Sequence, residues 1–586
     1  MRKQTKLVAV LSAAALLALG ASMTSFAATG WQEENGTWVY YNKSGDQITD
    51  SWAKSGDNWF YLNGDGELST EQLIEDDNDN YYYVDANGAM VRNAWVAIEN
   101  EDAGDDNEPD QWWYYFGNNG KAYTGNDNIN LKSINGKKYA FNADGQMLYG
   151  WIKDGDTTII NDNDDAWSEG DYYFGSSDDG AMTVGWLLMD ITDDSADTTN
   201  KFTAPVFKDD EDQSRWFCFK SSGKKWAAES GSVLKEKTIN GAKYAFDEYG
   251  RMVAEWSTAT TGNTATAANW KYFSDVESGA RVTKGWFKVV PAEEFFPGDY
   301  KDDEEGWYYT NNSGNLVTGQ FKTIKGKKYA FKTTGKMVNG LKFIKDTGNV
   351  DEFDVISDDN GTKRFDSEDD FLANASYWVD NGYKCYFFGD SSDGAMRTGN
   401  ATVNIDGDNF TFNFGKSGSA KGAGVTKIDD HKAYTSGMVI KAGKDEKYQV
   451  VKPKYSRTTT DLIGFTKYAD AKKFTDGVSN ITNLAGGRYT EYSINQVVAL
   501  VQASSTLSYS DFGLTKSKAE AANGPEYSEA VFYYDNTNSR WGLDANDYML
   551  VNTSGKISTK SGKVKDGNDV YYKLNSGRIV GTFVED

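Results

Sequence analysis

The stretch Ile134–Trp151, INGKKYAFNADGQMLYGW, returns as INGAKYAFDEYGRMVAEW at Ile239–Trp256 and as IKGKKYAFKTTGKMVNGL at Ile324–Leu341. Looser copies, with WYYF-like runs in place of KYAF, lie before, between and after these. A unit of about twenty residues cannot bury an apolar face alone, so such a chain must fold as a stacked array of one supersecondary unit.

The unit reads as a β-hairpin: an alternating aromatic strand, an Asn/Asp-Gly turn such as Asn142–Gly145, then a short returning strand. Strand side chains alternate between faces. Numbering the first strand 1 to 4, positions 2 and 4 are Tyr139 and Phe141, Tyr114 and Phe116, Phe217 and Phe219, Tyr244 and Phe246, and Tyr329 and Phe331. These are apolar in nearly every copy and are expected to form the stacking core. Positions 1 and 3 split the copies into two kinds. They are aromatic in one (Trp38/Tyr40, Trp59/Tyr61, Trp113/Tyr115) and Lys/Ala in the other (Lys138/Ala140, Lys243/Ala245, Lys328/Ala330). The expected fold is all-β, a solenoid of stacked β-hairpin repeats with long acidic loop insertions.

Composition fits a thin fold. Aromatics make up 14 % of the residues while mean hydropathy is −0.65, so aromatic rings supply most of the apolar surface. The net charge of −26 lies before residue 400, because residues 401–586 hold 23 Lys+Arg against 21 Asp+Glu. Such an acidic array repels nucleic acid and leaves neutral or cationic ligands. Cys218 and Cys385 fall in separate repeats and are expected to be free, partly buried thiols. His431 is the only histidine, which disfavours His-rich metal sites and Ser-His-Asp or Cys-His centres.

Arg2, Lys3 and Lys6 precede an apolar run from Leu7 to about Ala21, and Ser25-Phe26-Ala27 supplies small residues where a signal peptidase cuts. Residues 1–27 therefore read as a secretory signal peptide, and the mature chain holds no stretch long enough to span a membrane. Residues 28–443 form the repeat array. Residues 444–547 read as a divergent insert or small subdomain with a helix around Ser493–Ala503, and residues 548–586 as degenerate C-terminal repeats that cap the array. Loops such as Glu99–Asp110 and Asp299–Gly306 read as solvated insertions. The oxygen-rich runs Asp76–Asn80 and Asn161–Asp165 lack the central Gly and distant Glu of an EF-hand, so no metal and no cofactor is assigned.

A row of exposed Trp and Tyr is costly unless a neighbouring hairpin covers it or a ligand uses it. Two or three such walls would cage a quaternary ammonium, or stack on sugar rings. The units GWQEENGTWVYYNKSGDQITDSW and SWAKSGDNWFYLNGDGEL resemble the choline-binding, or cell-wall-binding, repeats of Gram-positive surface proteins. INGKKYAFNADGQMLYGW is similar to the related glucan-binding and clostridial-toxin carbohydrate-binding repeats. The resemblance covers about Gly30–Gly424 and, more weakly, Tyr548–Gly581.

It implies cages built from the Gly-Trp tryptophan and strand Trp of one hairpin, a strand Tyr of the next, and often a Met. Carried over, these are Trp31, Trp38 and Tyr61, then Trp52, Trp59 and Tyr83. Further on, Trp95 and Trp113 (with Tyr115) are followed by Ala140 where the closing Tyr is expected. Likewise Trp186 and Trp216 are followed by Ala245, and Trp286 and Trp307 (with Tyr309) by Ala330. Trp151 faces Asp171 in the strand-Trp position. These later sites are expected to be open aromatic shelves, better suited to a saccharide.

The expected function is a secreted, non-catalytic protein held non-covalently at the cell wall by many weak sites. Its partner would be choline-bearing teichoic acid, glucan or peptidoglycan saccharide. The alternatives are an adhesin or scaffold that binds a host protein through its acidic loops, and an accessory to a cell-wall hydrolase. Tyr448–Arg540 offers no recognisable nucleophile or paired-acid signature, so no catalytic residue is assigned.

Overall fold

The computed structural model describes residues 29–585 apart from 105–107, 127, 156–158, 160–164, 192–212, 230–234, 259–266, 294–295, 347–352, 357–366, 444–445, 469–486 and 568. The segment expected to be a signal peptide and most of the Asn161–Asp165 loop lie outside the described residues. Within them the chain is mostly β-strand in small antiparallel sheets, with few and short helices. It divides into two compact units, Met1–Ala265 with Lys271–Arg281, and Thr266–Trp270 with Val282–Asp586.

The hairpins close at a different turn from the one expected. Lys132–Ile134 pairs with Lys137–Tyr139 across Asn135-Gly136, whose φ angles are 48° and 83°. Gly30–Glu34 pairs with Thr37–Tyr41 across Asn35-Gly36, at 53° and 89°. Two residues with φ > 0 give the tight turn whose twist matches that of its strands. The Asn142–Gly145 turn is only a connector. There the Gln146 amide donates to Asn142 Oδ1 at 2.8 Å, and a single bridge, Phe141↔Met147, follows. It stops because the Met147 N–H donates at 2.8 Å to the carbonyl of Trp113, in the preceding hairpin.

That bond recurs between successive hairpins. Leu68 donates to Trp38, Met90 to Trp59, Ala122 to Tyr81, Met182 to Lys138, Lys225 to Asp171, Met252 to Trp216, Met337 to Trp307 and Met396 to Lys328, each at 2.8 Å. Each hairpin thus lays positions 1 and 3 against positions 2 and 4 of the next. Where position 3 is alanine the contact is still dry: Ala140 is fully buried with Leu148, Ile152 and Phe174. Ala245 packs with Val253 and Phe273, and Ala330 with Val338 and Phe388.

In the second unit a larger core joins Phe343 and Phe371 to Phe412, Phe414, Val451, Phe465 and Met549. The helix Glu368–Asp380 starts at Ser367, whose side chain accepts from the Asp370 amide, and contributes Phe371 and Ala375 to that core. The helix Ile494–Ala503 starts in a capping box of Ser493 and Gln496 and buries Val497 and Val501. Cys218 and Cys385 are free and buried. Among the described residues no helix is long and apolar enough to cross a membrane.

Candidate functional site

The side chains of greatest interest follow from strand alternation and from the stacking direction just described. Trp186 is paired across its hairpin with Cys218, and Trp216 lies two residues before Cys218 on the same strand. Both rings therefore share one face, with centroids 6.3 Å apart and planes at 87°. The next hairpin presents positions 2 and 4 to that face. Tyr244 stands 4.8 Å from Trp186 edge-on, and Phe246 lies at 5.8 Å. Met252 is carried in by its amide bond to Trp216 O. Trp186, Trp216, Tyr244 and Met252, with Glu277 and Ser278 from the following turn, line a cavity of about 340 Å³.

The same box recurs with little variation. Trp95 lies 6.5 Å from Trp113, 4.9 Å from Tyr139 and 5.8 Å from Phe141. Trp286 lies 6.2 Å from Trp307, 4.9 Å from Tyr329 and 5.6 Å from Phe331. Met147 and Met337 take the place of Met252. A turn glycine from the hairpin after next leaves room for the tip of each methionine. A Cβ on Gly180 would lie 2.4 Å from Met147 Cε, one on Gly279 2.4 Å from Met252 Cε, and one on Gly394 2.2 Å from Met337 Cε. Their φ angles of 47°, 57° and 57° are also ones that side chains rarely adopt.

The ring that the next hairpin brings to each tryptophan differs from the expected one. The closing tyrosine comes from position 2, not position 3, because facing hairpins meet odd face to even face. Tyr139, Tyr244 and Tyr329 close the boxes that Ala140, Ala245 and Ala330 were expected to leave open. Tyr115 and Tyr309 lie on their own hairpin's tryptophan, 5.1 Å from Trp95 and from Trp286. The first two sites shift in the same way. The ring of the next hairpin beside Trp31 is Phe60, at 5.2 Å, and Trp52 has Tyr82 at 5.2 Å. Tyr61 instead pairs with Trp52 at 5.2 Å, and Tyr83 meets Phe116 at 6.1 Å. The carbonyls of Trp38 and Trp59 accept the Leu68 and Met90 amides, and Trp59 is 37 % exposed. The pairing of each tryptophan with its own strand states which rings share a face, and the amide bonds between hairpins set which face of the next strand answers.

Electrostatics separate the three later boxes. Burial holds the Tyr139 phenol above its usual range, with Lys137 opposing and Asp179 adding, so this wall is neutral at physiological pH. Lys137 pairs with Asp179 at 2.9 Å, and Lys327 pairs with Asp393 at 3.3 Å. At the Trp186 box the equivalent lysine is Ala242. Glu277, which lines that cavity, has no ion-pair partner among the described residues.

The Trp151 site is filled by the chain itself. Lys225 stands in the methionine position, and its Nζ donates to Trp167 O at 2.7 Å and to Ser168 O at 3.3 Å. The same Nζ lies 5.1 Å from the Trp151 ring centroid. Trp151, Trp167 and Phe217 pack around it in one buried cluster.

Residues 28–73 match the choline-binding repeat family, and residues 73–90 the cell wall binding repeat family. Glucosyltransferase-S of Streptococcus mutans is 28 % identical over 205 residues, 35 % of this chain and 11 % of that protein. Glucosyltransferase-I of Streptococcus downei is 26 % identical over 387 residues, 62 % of this chain and 18 % of that protein. The chain thus spans less than a fifth of the length of these relatives. Among solved structures, the modular autolysin LytC of Streptococcus pneumoniae aligns at 19 % identity and a TM-score of 0.28, covering 57 % of each chain. Choline binding protein F of Streptococcus pneumoniae aligns at 17 % identity and a TM-score of 0.22, covering 67 % of this chain and 98 % of that one. Residues 28–90 of the chain are thus similar to choline-binding and cell wall binding repeats.

Proposed function

We propose that the protein is a secreted, non-catalytic cell-wall-binding protein whose aromatic boxes each take a quaternary ammonium group. In this reading, residues 28–443 form the binding array, a solenoid within each compact unit. Residues 444–547 and 548–586 form a divergent subdomain and its closing repeats. The observation that carries it is the threefold recurrence of two tryptophans at right angles, a tyrosine of the next hairpin and a pinned methionine. A cation held between such walls gains about 0.5–2 kcal/mol from the ring quadrupoles, more when water is excluded. The Glu277 carboxylate at the Trp186 box favours the same charge. Sites of this kind are individually weak. Several on one chain give firm attachment to a choline-bearing polymer, since each later contact forms at high effective concentration.

The Trp31–Phe60 and Trp52–Tyr82 pairs extend the series toward the N-terminus. The signal segment routes the chain outward, where it would be held non-covalently at the wall. A second reading, stacking on a glucan or peptidoglycan saccharide, is favoured by the similarity to glucosyltransferases.

Retention on a choline-substituted anion-exchange resin separates the two. The mature protein should stay bound in high salt and elute with free choline. The Trp113→Ala/Trp216→Ala/Trp307→Ala variant should lose most of that retention. Indifference of the wild type to choline, together with binding to insoluble glucan competed by soluble sugar, would move the conclusion to the second reading. Release of sugar from purified walls would overturn the non-catalytic assignment.

A further inference from the structure

The strand Tyr448–Tyr455 pairs with Leu462–Lys467, and near the end of the pairing the register shifts. Lys454 faces Gly464 and Tyr455 faces Leu462, which leaves Ile463 over between the two pairs. Neighbours on a regular strand point to opposite faces, and a bulge of this kind twists the strands locally. Lys454 and Tyr455 both border one cavity of about 310 Å³, together with Arg457 from the loop that follows. The helix Glu368–Asp380 lines it with Ser376, Tyr377 and Asp380. Gly464 lets helix and hairpin come close, since a Cβ there would stand 3.1 Å from Ser376 Cβ. Ser456 fixes the loop that carries Arg457. Its Oγ accepts from the amides of Thr458 at 3.1 Å and Thr459 at 3.2 Å.

The lining is chemically specific. Lys454 Nζ donates to Ser376 Oγ at 2.7 Å. Ser376 is 1 % exposed, and its own hydroxyl proton has no acceptor among the described residues. No ion pair joins Lys454, Arg457 or Asp380 to another described residue. Two positive charges therefore meet one negative charge, a balance that suits a monoanion better than a phosphate dianion. A guanidinium matches a planar carboxylate with two parallel bonds, and the ammonium adds a point charge beside it. Asp380 accepts only, so it asks the same ligand for hydroxyl donors. Tyr377 and Tyr455 are 43 % and 54 % exposed, which leaves two aromatic faces at the cavity for a ring to cover.

We propose that this cavity binds a sugar acid, a pyranose ring that carries one carboxylate, as in a hexuronate. Lys454 and Arg457 hold the carboxylate, the Ser376 hydroxyl donates to the ligand, and Asp380 accepts from ring hydroxyls. The tyrosines cover the apolar face of the ring. None of these residues belongs to an aromatic box, so the cavity is a second kind of site with the opposite charge preference.

Calorimetric titration of the full mature chain, with choline held in excess to occupy the boxes, tests this. The probes are D-glucuronate, D-glucose, acetate, inorganic phosphate and a tripeptide ending in glutamate. Glucuronate should bind one site about tenfold tighter than glucose or acetate at low salt, a margin that shrinks as salt screens the two cations. Lys454→Gln/Arg457→Gln should bring glucuronate down to the level of glucose. Tyr455→Ala should weaken glucuronate and leave acetate unchanged. All three side chains are exposed, so urea unfolding of these variants should match the wild type. Glucuronate binding no tighter than glucose, or a margin that survives the double variant, overturns the proposal. Tighter binding of phosphate or of the peptide overturns the sugar acid in favour of that anion. Choline retention reads the aromatic boxes separately, so either site can fail while the other stands.

Discussion

Replacing Phe246 with alanine should destabilise the hairpins around it by about 3–5 kcal/mol, the usual loss for a buried phenylalanine whose cavity cannot collapse. Phe246 is 0 % exposed and packs with Cys218, Met252 and the Trp186 ring. Nothing can refill the space, since Trp186 is fixed on its other sides by Trp216 and Tyr244. Stacked repeats unfold in nearest-neighbour steps, so a global melt would dilute the effect. Amide hydrogen exchange in Trp216–Phe219 and Lys235–Phe246 reads it locally. Trp216→Ala is the contrast: Trp216 is only partly buried, and its loss should empty the site with a smaller stability cost. A change below about 1 kcal/mol at Phe246 would show that these hairpins do not depend on face-to-face stacking.

Lys225 should give the first unit a rise in stability with pH that Lys225→Met lacks. The side chain is 5 % exposed, and burial pushes its amine down to about 7, against Asp171 and Asp247, which favour the charged form. In the unfolded chain the amine titrates at about 10.4. Between these values the unfolded state holds a proton that the folded state has released. Stability therefore rises with pH across that window by about 1.4 kcal/mol per unit, about 3–4 kcal/mol over most of it, and is flat below 7. The neutral amine still donates to Trp167 O and Ser168 O, so the packing need not change as the proton leaves. Urea unfolding of both proteins at steps from about pH 6 to 10, followed by tryptophan emission, yields the difference directly. Parallel curves would show that Lys225 keeps its proton in the fold, held by the Trp151 face and the nearby carboxylates.

Most of the repeat pattern was legible because the strand period is two and aromatic residues sit at fixed offsets from Asn-Gly. Tyr139/Phe141 and Tyr244/Phe246 were marked as core by alternation alone, and they are buried or half-buried. The partner across each stacking contact was not legible, since a strand's own pattern states which residues share a face but not which face the neighbour presents. That single ambiguity moved the expected facing residue from Tyr244 to Ala245. The hairpin turn was misassigned for a related reason. Asn135-Gly136 and Asn142–Gly145 both carry turn chemistry, and only the bond from Met147 to the preceding hairpin shows that the second is a connector.

The repeated stretch Ile134–Trp151 by itself determined that the chain folds into β-hairpins with an aromatic face. Tertiary structure alone decided which ring of the next hairpin meets each tryptophan, and which site the chain fills with Lys225. Strand alternation is a local steric rule, written in every two residues. The boxes form between residues of different hairpins, such as Trp186 and Tyr244, and no local rule relates their faces until the stack sets the direction in which one hairpin meets the next.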